Sequence, residues 1–291
     1  MSPPSAADEV VAAFRQAEAA NRACRALVGN VVQITADDAD EVVVSGDVHG
    51  HRANFEAIQR FADLDARPRR QLIMQEVCHG GPTYPDGGCM SHLMLEDVAR
   101  LKVRYRDRFH FLLSNHELAE LTDYPIMKAR KMLNVMFRTG LQACYGADAE
   151  RVRGAALDFI GSCPAAARIG QSVFVSHSLP EGSDRDCFDA SVFSKPPSTR
   201  DLCEGGTLFR MVWGRDFRPA NAEAYARAVN AEVLIHGHEP CFEGYRVPND
   251  RQIIIDCCGP NPYVVVVPTK GDLSHRAIVK SLHALEPVEL E

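Results

Sequence analysis

The chain has 291 residues, of which 46% are hydrophobic and 24% charged, and its formal net charge is −7. This length and apolar content suffice for a sizeable core in one large domain or two small ones. The acidic balance and the lack of a long basic run argue against nucleic-acid and membrane partners. Apolar runs such as 263–267 are too short to span a bilayer, and residues 1–8 lack a signal-peptide pattern, so we expect a cytoplasmic protein.

Hydrophobic periodicity predicts helices and strands that alternate through much of the chain. An N-terminal helix falls within residues 1–30, with Ser5 as a candidate N-cap. Further helices are predicted at 54–64, at 93–105 and through most of 119–165, where we expect a helical cap over the site. The predicted strands are 31–35, 42–44, 71–74, 109–113, 172–176, 232–235, 252–255 and 263–267. This alternation indicates an α/β fold, which we treat as a single domain over residues 1–291.

The valine-rich run that begins at Glu41 ends in a glycine turn that carries Asp47 and His49. The two residues are two positions apart, so in extended backbone their side chains point the same way. A carboxylate and an imidazole at one strand end can bind a single metal ion. Taken alone, the stretch is also typical of a polar turn after a buried strand.

Metal-binding or proton-transferring side chains follow five of the predicted strands. Ligands of open α/β sheets bind at the carboxyl ends of the strands, so these five placements predict one shared site. Mixed carboxylate, amide and imidazole ligands suit Mn, Fe or Zn. A carboxylate can also bridge two ions that lie roughly 3.5–4 Å apart. The side chains are Asp47, His49, Glu76, Asn115, His116, His177, His236 and His238.

Four segments, in this order, resemble the motifs of calcineurin-like metallophosphoesterases. They are Gly-Asp-Val-His-Gly at 46–50, Asn-His-Glu at 115–117, Val-Ser-His at 175–177 and His-Gly-His-Glu-Pro at 236–240. The segment Val-Trp-Gly-Arg-Asp at 212–216 resembles the Trp-x-Arg segment of the bacterial serine/threonine-phosphatase-like branch, which includes diadenosine tetraphosphatases. The resemblance covers residues 41 to about 267.

The resemblance implies a four-layer α/β/β/α sandwich with two mixed sheets. It also implies a phosphoric ester hydrolase with two divalent metal ions (Mn, Fe or Zn). In that case His116 is the general acid that protonates the leaving oxygen, and Arg215 holds phosphate oxygens, although a surface salt bridge is an alternative for Arg215. His236 lies behind the ligands. The implied metal ligands are Asp47, His49, Glu76, Asn115, His177 and His238.

The second motif departs from the family pattern Gly-Asp-x-x-Asp-Arg-Gly, because residues 75–82 read Gln-Glu-Val-Cys-His-Gly-Gly-Pro. Glu76 takes the place of the bridging Asp. His79 replaces the Asp that orients the catalytic histidine, and Gly80 replaces the phosphate-binding Arg. We therefore expect His116 to hold its proton less tightly, and the double change of His79→Asp with Gly80→Arg to raise kcat/KM.

Two functions remain open at this point. The first is a phosphatase that acts on a phosphorylated small molecule, a nucleotide or a phosphoprotein. The second is a metal-binding pseudophosphatase with weak or no turnover and a regulatory or binding role. The changes at His79 and Gly80 favour the second function, whereas His116 and the complete ligand set favour the first. A nuclease is disfavoured by the acidic balance.

Overall fold

The computed structural model describes residues 5–287. The strands are β1 Leu27–Val28, β2 Val31–Ile34, β3 Glu41–Ser45, β4 Arg70–Gln75, β5 Phe109–Leu112, β6 Met127–Lys128, β7 Lys131–Met132, β8 Ala166–Ile169, β9 Val173–Ser176, β10 Val233–His236, β11 Tyr245–Asn249, β12 Gln252–Ile255, β13 Tyr263–Pro268 and β14 Leu282–Ala284. The α-helices are α1 Ala6–Arg22, α2 Arg52–Ala62, α3 Ser91–Tyr105, α4 Asn115–Thr122, α5 Leu133–Tyr145, α6 Ala149–Gly161, α7 Thr199–Leu202, α8 Thr207–Trp213, α9 Pro219–Ala228 and α10 His275–Val279.

Two mixed sheets form the centre of the fold. One sheet has seven strands in the order β1-β2-β8-β9-β10-β12-β11, and the other has five in the order β14-β13-β3-β4-β5. In the smaller sheet β3, β4 and β5 run parallel, and β13 pairs antiparallel to β3. In the larger sheet β9, β10 and β12 run parallel. The strands that carry the predicted site residues are therefore parallel neighbours within each sheet.

Helices pack against both sheets. α2 and α3 contact β4 and β5 of the smaller sheet, and α9 contacts β10 of the larger one. The sheets approach each other closely where Gly46 follows β3, because a Cβ atom there would lie only 1.9 Å from the backbone oxygen of Ile255 in β12. The α/β fold with two mixed sheets is confirmed, and the helix contacts are compatible with four layers.

β3 is an inner strand of the smaller sheet, between β4 and β13. Its successive residues Val42, Val43 and Val44 point to opposite faces and are all fully buried, so both faces of the strand are covered. A strand covered on both faces reads as a continuous apolar run, which is the pattern in the sequence. The predicted strands agree with the observed ones to within two residues.

Three differences from the predicted elements stand out. The N-terminal helix is capped by Ser5 as predicted but ends at Arg22, and β1 follows it; residues 1–4 of that segment, and 288–291 of the predicted domain, lie outside the described residues. The predicted helical cap at 119–165 is interrupted by the hairpin of β6 and β7. Finally, β8, β11 and β14 were not predicted. Within residues 5–287 no helix has both the length and the apolar character that a membrane crossing requires.

Candidate functional site

The candidate site lies where the carboxyl ends of β3, β4 and β5 face those of β9 and β10. Because parallel strands deliver their ends to one edge, the loops that follow them meet there. His49 and His116 are partly exposed, and the remaining five residues are buried. The predicted residues brought together are Asp47, His49, Glu76, Asn115, His116, His177 and His238.

The loops after β3 and β4 are joined by backbone and side-chain contacts. The backbone N–H groups of Val48 and His49 donate to the backbone oxygen of Glu76, at 2.8 and 3.1 Å. His49 Nδ1 donates to the backbone oxygen of Cys78 at 3.0 Å, so its other nitrogen, Nε2, carries the lone pair. Nε2 lies 3.3 Å from Glu76 Oε2. His49 is thereby held with its free nitrogen toward the carboxylate, as metal-binding histidines are.

Several of these residues have strained backbone. His49, Glu76, His79 and His238 are non-glycine residues with φ of 45°, 47°, 62° and 66°. Each left-handed residue of this kind costs of order 1–3 kcal/mol, and such strain gathers at ligand sites. The fold therefore gives up stability to orient these four side chains.

A second group of atoms surrounds His177. Its Nε2 lies 2.7 Å from Asn115 Oδ1 and 3.2 Å from His238 Nδ1. The amide nitrogen of Gln75 donates to the backbone of Ser45, so Gln75 Oε1 accepts from His177 Nδ1 at 3.0 Å. His177 Nε2 is then unprotonated, and its lone pair faces a lone pair of Asn115 Oδ1. A cation between these atoms would remove that repulsion.

Two buried carboxylates complete the site. Both oxygens of Asp47 accept from the backbone N–H of His238, at 3.0 and 2.9 Å. Gly237 permits this approach, because a Cβ atom there would lie 2.2 Å from Asp47 Oδ1. Burial raises the pKa of Glu76 to about 8, and burial together with the charge of Glu76 raises the pKa of Asp47 well above its usual range. Both carboxylates are therefore poorly stabilised as anions by the protein alone.

The donor atoms are of the kinds that bind divalent metal ions. They form two groups, one of His49, Glu76 and His116 and one of Glu76, His177 and His238, with ligand atoms within 4.8 Å of one another. Glu76 belongs to both groups. The Nε2 atom of buried His238 has no hydrogen-bond partner among the described residues. Mixed nitrogen and oxygen donors of this kind suit Mn, Fe or Zn.

His116 belongs to a chain of three side chains that leads away from the metal groups. Its Nδ1 lies 2.9 Å from His79 Nδ1, and His79 Nε2 lies 2.7 Å from Glu120 Oε1. The side chains of His79 and Glu120 are fully buried. Because the carboxylate accepts from His79 Nε2, His79 Nδ1 is left to accept from His116 Nδ1. The second nitrogen of His116, Nε2, is then available to the site.

Two features of this region bear on the expectations from the second motif. Burial lowers the pKa of His116 well below its usual range, and the neighbouring histidines add to the effect. Gly80 has φ of 154°, and a Cβ atom there would lie 2.3 Å from the backbone oxygen of His49. The substitution Gly80→Arg therefore cannot restore a phosphate-binding arginine without displacing the His49 loop.

Arg215 and His236 lie at the margins of the site. Arg215 forms a salt bridge with Glu239, which is the alternative contact considered for it, and about half of its side chain is exposed. Its charge still helps to lower the pKa of His177 and His238, after the larger effect of burial. His236 is fully buried and donates from Nδ1 to the backbone of Ser176 at 3.0 Å, and burial lowers its pKa to about 4.

Comparison of structures shows that solved phosphatase structures resemble this chain, whereas comparison of sequences gives no match. No protein-family model and no curated protein matches it. A protein serine/threonine phosphatase from Saccharomyces cerevisiae, with similarity to human phosphatase PP5, superposes over 99% of this chain and 92% of its own, with a TM-score of 0.69 and 16% identity. The cold-active protein-tyrosine phosphatase of a Shewanella species superposes over 89% and 83%, with a TM-score of 0.56 and 15% identity. This chain has a phosphatase fold.

Three residues of the site in this phosphatase fold were missed by the sequence analysis. Glu120 contacts His79, Gln75 contacts His177, and Glu117 Oε1 accepts from the backbone N–H groups of Val77 and Cys78, at 2.9 and 2.8 Å. The first had a local signal, since Glu120 stands four positions after His116 and the two share a helix face. Gln75 and Glu117 stand within the motif segments quoted above, but their contacts join separate segments, and no local pattern in the sequence shows those contacts.

Proposed function

We propose that this protein is a metal-dependent phosphatase of the metallophosphoesterase type. The observation that carries the proposal is the position of Glu76, which is shared by two groups of possible ligand atoms, one of which includes His116. Two divalent ions bound there would lower the pKa of bound water and polarise phosphoryl oxygens. The residues proposed to hold them are Asp47, His49, Glu76, Asn115, His177 and His238.

The residues of the chain itself would supply proton transfer and phosphate contacts. His116 in its protonated form donates from Nε2 to the leaving oxygen, while Nδ1 stays hydrogen-bonded to His79. The contact between His79 and Glu120 fixes which nitrogen of His79 accepts that bond. Arg215 would bind phosphate oxygens after its salt bridge with Glu239 breaks. The guanidinium group suits this role because it can donate two parallel hydrogen bonds to phosphate oxygens.

The substrate is a phosphorylated small molecule, nucleotide or phosphoprotein. The segment at 212–216 supports a place in the bacterial serine/threonine-phosphatase-like branch that includes diadenosine tetraphosphatases. The whole chain forms one domain in this proposal, and we expect it to act in the cytoplasm.

The decisive test compares His116→Ala with the wild type, each purified with Mn. We expect turnover of an alkyl phosphate to fall roughly 10²–10⁴-fold, because its leaving oxygen needs a proton. An activated aryl phosphate should lose much less, and bound metal, measured by elemental analysis, should be unchanged. Wild-type protein without bound transition metal would contradict the proposal, and equal losses on both substrates would contradict the acid role of His116.

A pseudophosphatase is the second candidate, and two observations favour it. Gly80 leaves no side chain to bind phosphate, and Arg215 is already paired with Glu239. Metal content close to two ions per chain, without turnover of any phosphate ester in a broad panel, would decide for this candidate.

A further inference from the structure

A basic hairpin stands out on a chain whose net charge is −7. We use this name for residues 127–132, Met-Lys-Ala-Arg-Lys-Met, which comprise β6, β7 and the turn between them. Lys128, Arg130 and Lys131 are all exposed. None of the three forms an ion pair or a side-chain hydrogen bond with any residue in the described part of the chain.

Two features of the hairpin are unfavourable for the stability of the fold. Lys128 lies directly opposite Lys131 in the strand register, and like charges in that arrangement are destabilising. The turn residues Ala129 and Arg130 have φ of 50° and 64°, although neither is glycine or asparagine. No acidic side chain of the described residues pairs with these charges, so they remain accessible to a negatively charged molecule.

Contacts at its base hold the hairpin beside the site. Asn134 Oδ1 accepts from the backbone N–H of Ile126 at 2.9 Å, and its amide nitrogen donates to the backbone of Ala119 at 3.3 Å. Ala119 belongs to α4, the helix that also carries His116. Ala119 lies three positions after His116, so the base of the hairpin contacts α4 about one helical turn from that residue.

The residues of the hairpin indicate the kind of ligand. Lys128 and Lys131 face each other across the hairpin and Arg130 lies in the turn between them, so three positive charges are grouped at one end of it. Met127 and Met132 face each other across the hairpin and are 67% and 41% exposed. Exposed methionines beside cations suit a peptide chain better than a compact ligand of phosphates alone.

We propose that the basic hairpin binds acidic residues that flank the phosphorylated residue of a phosphopeptide, and so makes the site selective for acidic phosphopeptides. This inference rests on the proposed phosphatase function and narrows its substrate class. The aliphatic part of the ligand would lie along Met127 and Met132.

The test measures binding, so it does not depend on turnover. Two fluorescent peptides carry a non-hydrolysable phosphonate analogue of phosphoserine, one with acidic and one with neutral flanking residues. Their affinity for Mn-loaded protein is measured by anisotropy at low and high salt. The hairpin variant is Lys128→Gln with Arg130→Asn and Lys131→Gln, since asparagine tolerates the left-handed turn.

A matched control removes the same charge elsewhere through Arg15→Gln, Lys270→Gln and Lys280→Gln. These residues are exposed and form no ion pair among the described side chains. Lys270 comes shortly after Pro268, the last residue of β13, which pairs with Glu41 at the start of β3. The site lies at the other end of β3, so Lys270 is at the opposite end of the sheet.

We expect the wild type and the control to bind the acidic peptide on the order of tenfold more tightly than the neutral one at low salt. The preference should disappear in the hairpin variant and shrink at high salt. A wild type without preference, or a hairpin variant that keeps it, would overturn the inference. The inference would also be overturned if the hairpin substitutions weakened the binding of a non-hydrolysable nucleoside triphosphate and left the binding of both peptides unchanged. Turnover of an aryl phosphate, measured in parallel, tests the phosphatase function separately.

Discussion

At the scale of single residues, the position of Glu120 changes the interpretation of His79. A histidine in this place was expected to leave His116 without a negative partner. Glu120 supplies the negative charge one side chain further from the site, at 2.7 Å from His79 Nε2. The carboxylate accepts from His79 Nε2, and His79 Nδ1 in turn accepts from His116, so this chain of contacts ends in a negative charge. We therefore expect the pair of His79 and Glu120 to act on His116 as a single group that is both oriented and negatively charged.

This arrangement predicts the effect of Glu120→Gln. The amide oxygen can still accept from His79, but the charge that stabilises a protonated His116 is lost. We expect kcat on an alkyl phosphate to fall roughly 10–100-fold and kcat on an activated aryl phosphate to change much less, because only the first leaving group needs a proton. Steady-state kinetics with both substrates, at unchanged metal content, provide the measurement.

Glu150→Gln, on the exposed side of α6, is a control with the same change of charge. It should leave both substrates unaffected. Equal losses on both substrates in Glu120→Gln would show that Glu120 only supports the packing of α4, and unchanged kinetics would show that its charge does not reach His116.

At the scale of elements, helix α4 joins the two halves of the candidate metal site. It begins at Asn115, and Glu117 in its first turn accepts from Val77 and Cys78 in the loop after β4. The second oxygen of Glu117 accepts from the hydroxyl of Ser114. Glu117 therefore fixes the loop that carries Glu76 against the helix that carries Asn115.

Replacing Glu117 by Gln should loosen this junction. The substitution leaves one acceptor oxygen and introduces an amide donor that faces other donors. We expect unfolding by urea to show a loss of roughly 2–4 kcal/mol, since a hydrogen bond to a charged group contributes about 1.5–3 kcal/mol. Metal content should fall as well, because Glu76 loses its position.

Ser114→Ala is the matched comparison, because it removes only the hydroxyl contact to Glu117. It should cost about 1 kcal/mol and retain metal. A Glu117→Gln protein with wild-type stability and full metal content would contradict the assigned role of the junction.

The sequence predicted strands better than the connections between them. The run Val42 to Val44 is apolar because it is covered on both faces, and that pattern is local. The basic hairpin was missed because its four paired residues are exposed and carry no apolar alternation. β8 was missed because it pairs with β2, which is distant in the chain. β11 pairs with the adjacent β12 and was missed because most of its residues are exposed and show no apolar alternation.

The site was predictable to a similar extent. Ligand candidates could be recognised because each follows a strand, and strand ends converge in a known way. Glu117, Glu120 and Gln75 act by contacts with residues from other segments, which no periodicity encodes. The obstacle to Gly80→Arg was also invisible, because it depends on how closely the backbone of His49 passes.

At the scale of the whole molecule, we expect metal binding, protonation and folding to be linked. Without metal, burial raises the pKa of Glu76 to about 8, so most molecules carry this proton at pH 7. The unfolded chain has the ordinary, lower pKa, and the native state therefore binds more protons between these values. By linkage, this group makes the metal-free protein less stable as the pH rises toward 8.

Metal binding should show the opposite trend. An ion that binds the ionised carboxylate must displace its proton, so affinity for Mn should rise with pH until about pH 8 and then level off. Competition titrations with a chelator between pH 6 and 9 give the measurement. Glu76→Gln should flatten the rise while weakening the binding, and an affinity of the wild type that is independent of pH would contradict the linkage.

The fit of Gly80 against His49 also limits how this molecule can evolve. Any side chain at position 80 must displace the backbone of His49, a residue whose ring lies among the candidate ligands. A lineage that acquires such a side chain passes through a defective intermediate, which selection removes before a second substitution can compensate. Positive charge for a substrate is more readily gained on exposed segments, where single substitutions are nearly neutral. The basic hairpin is a segment of that kind, and there new specificity can arise one residue at a time.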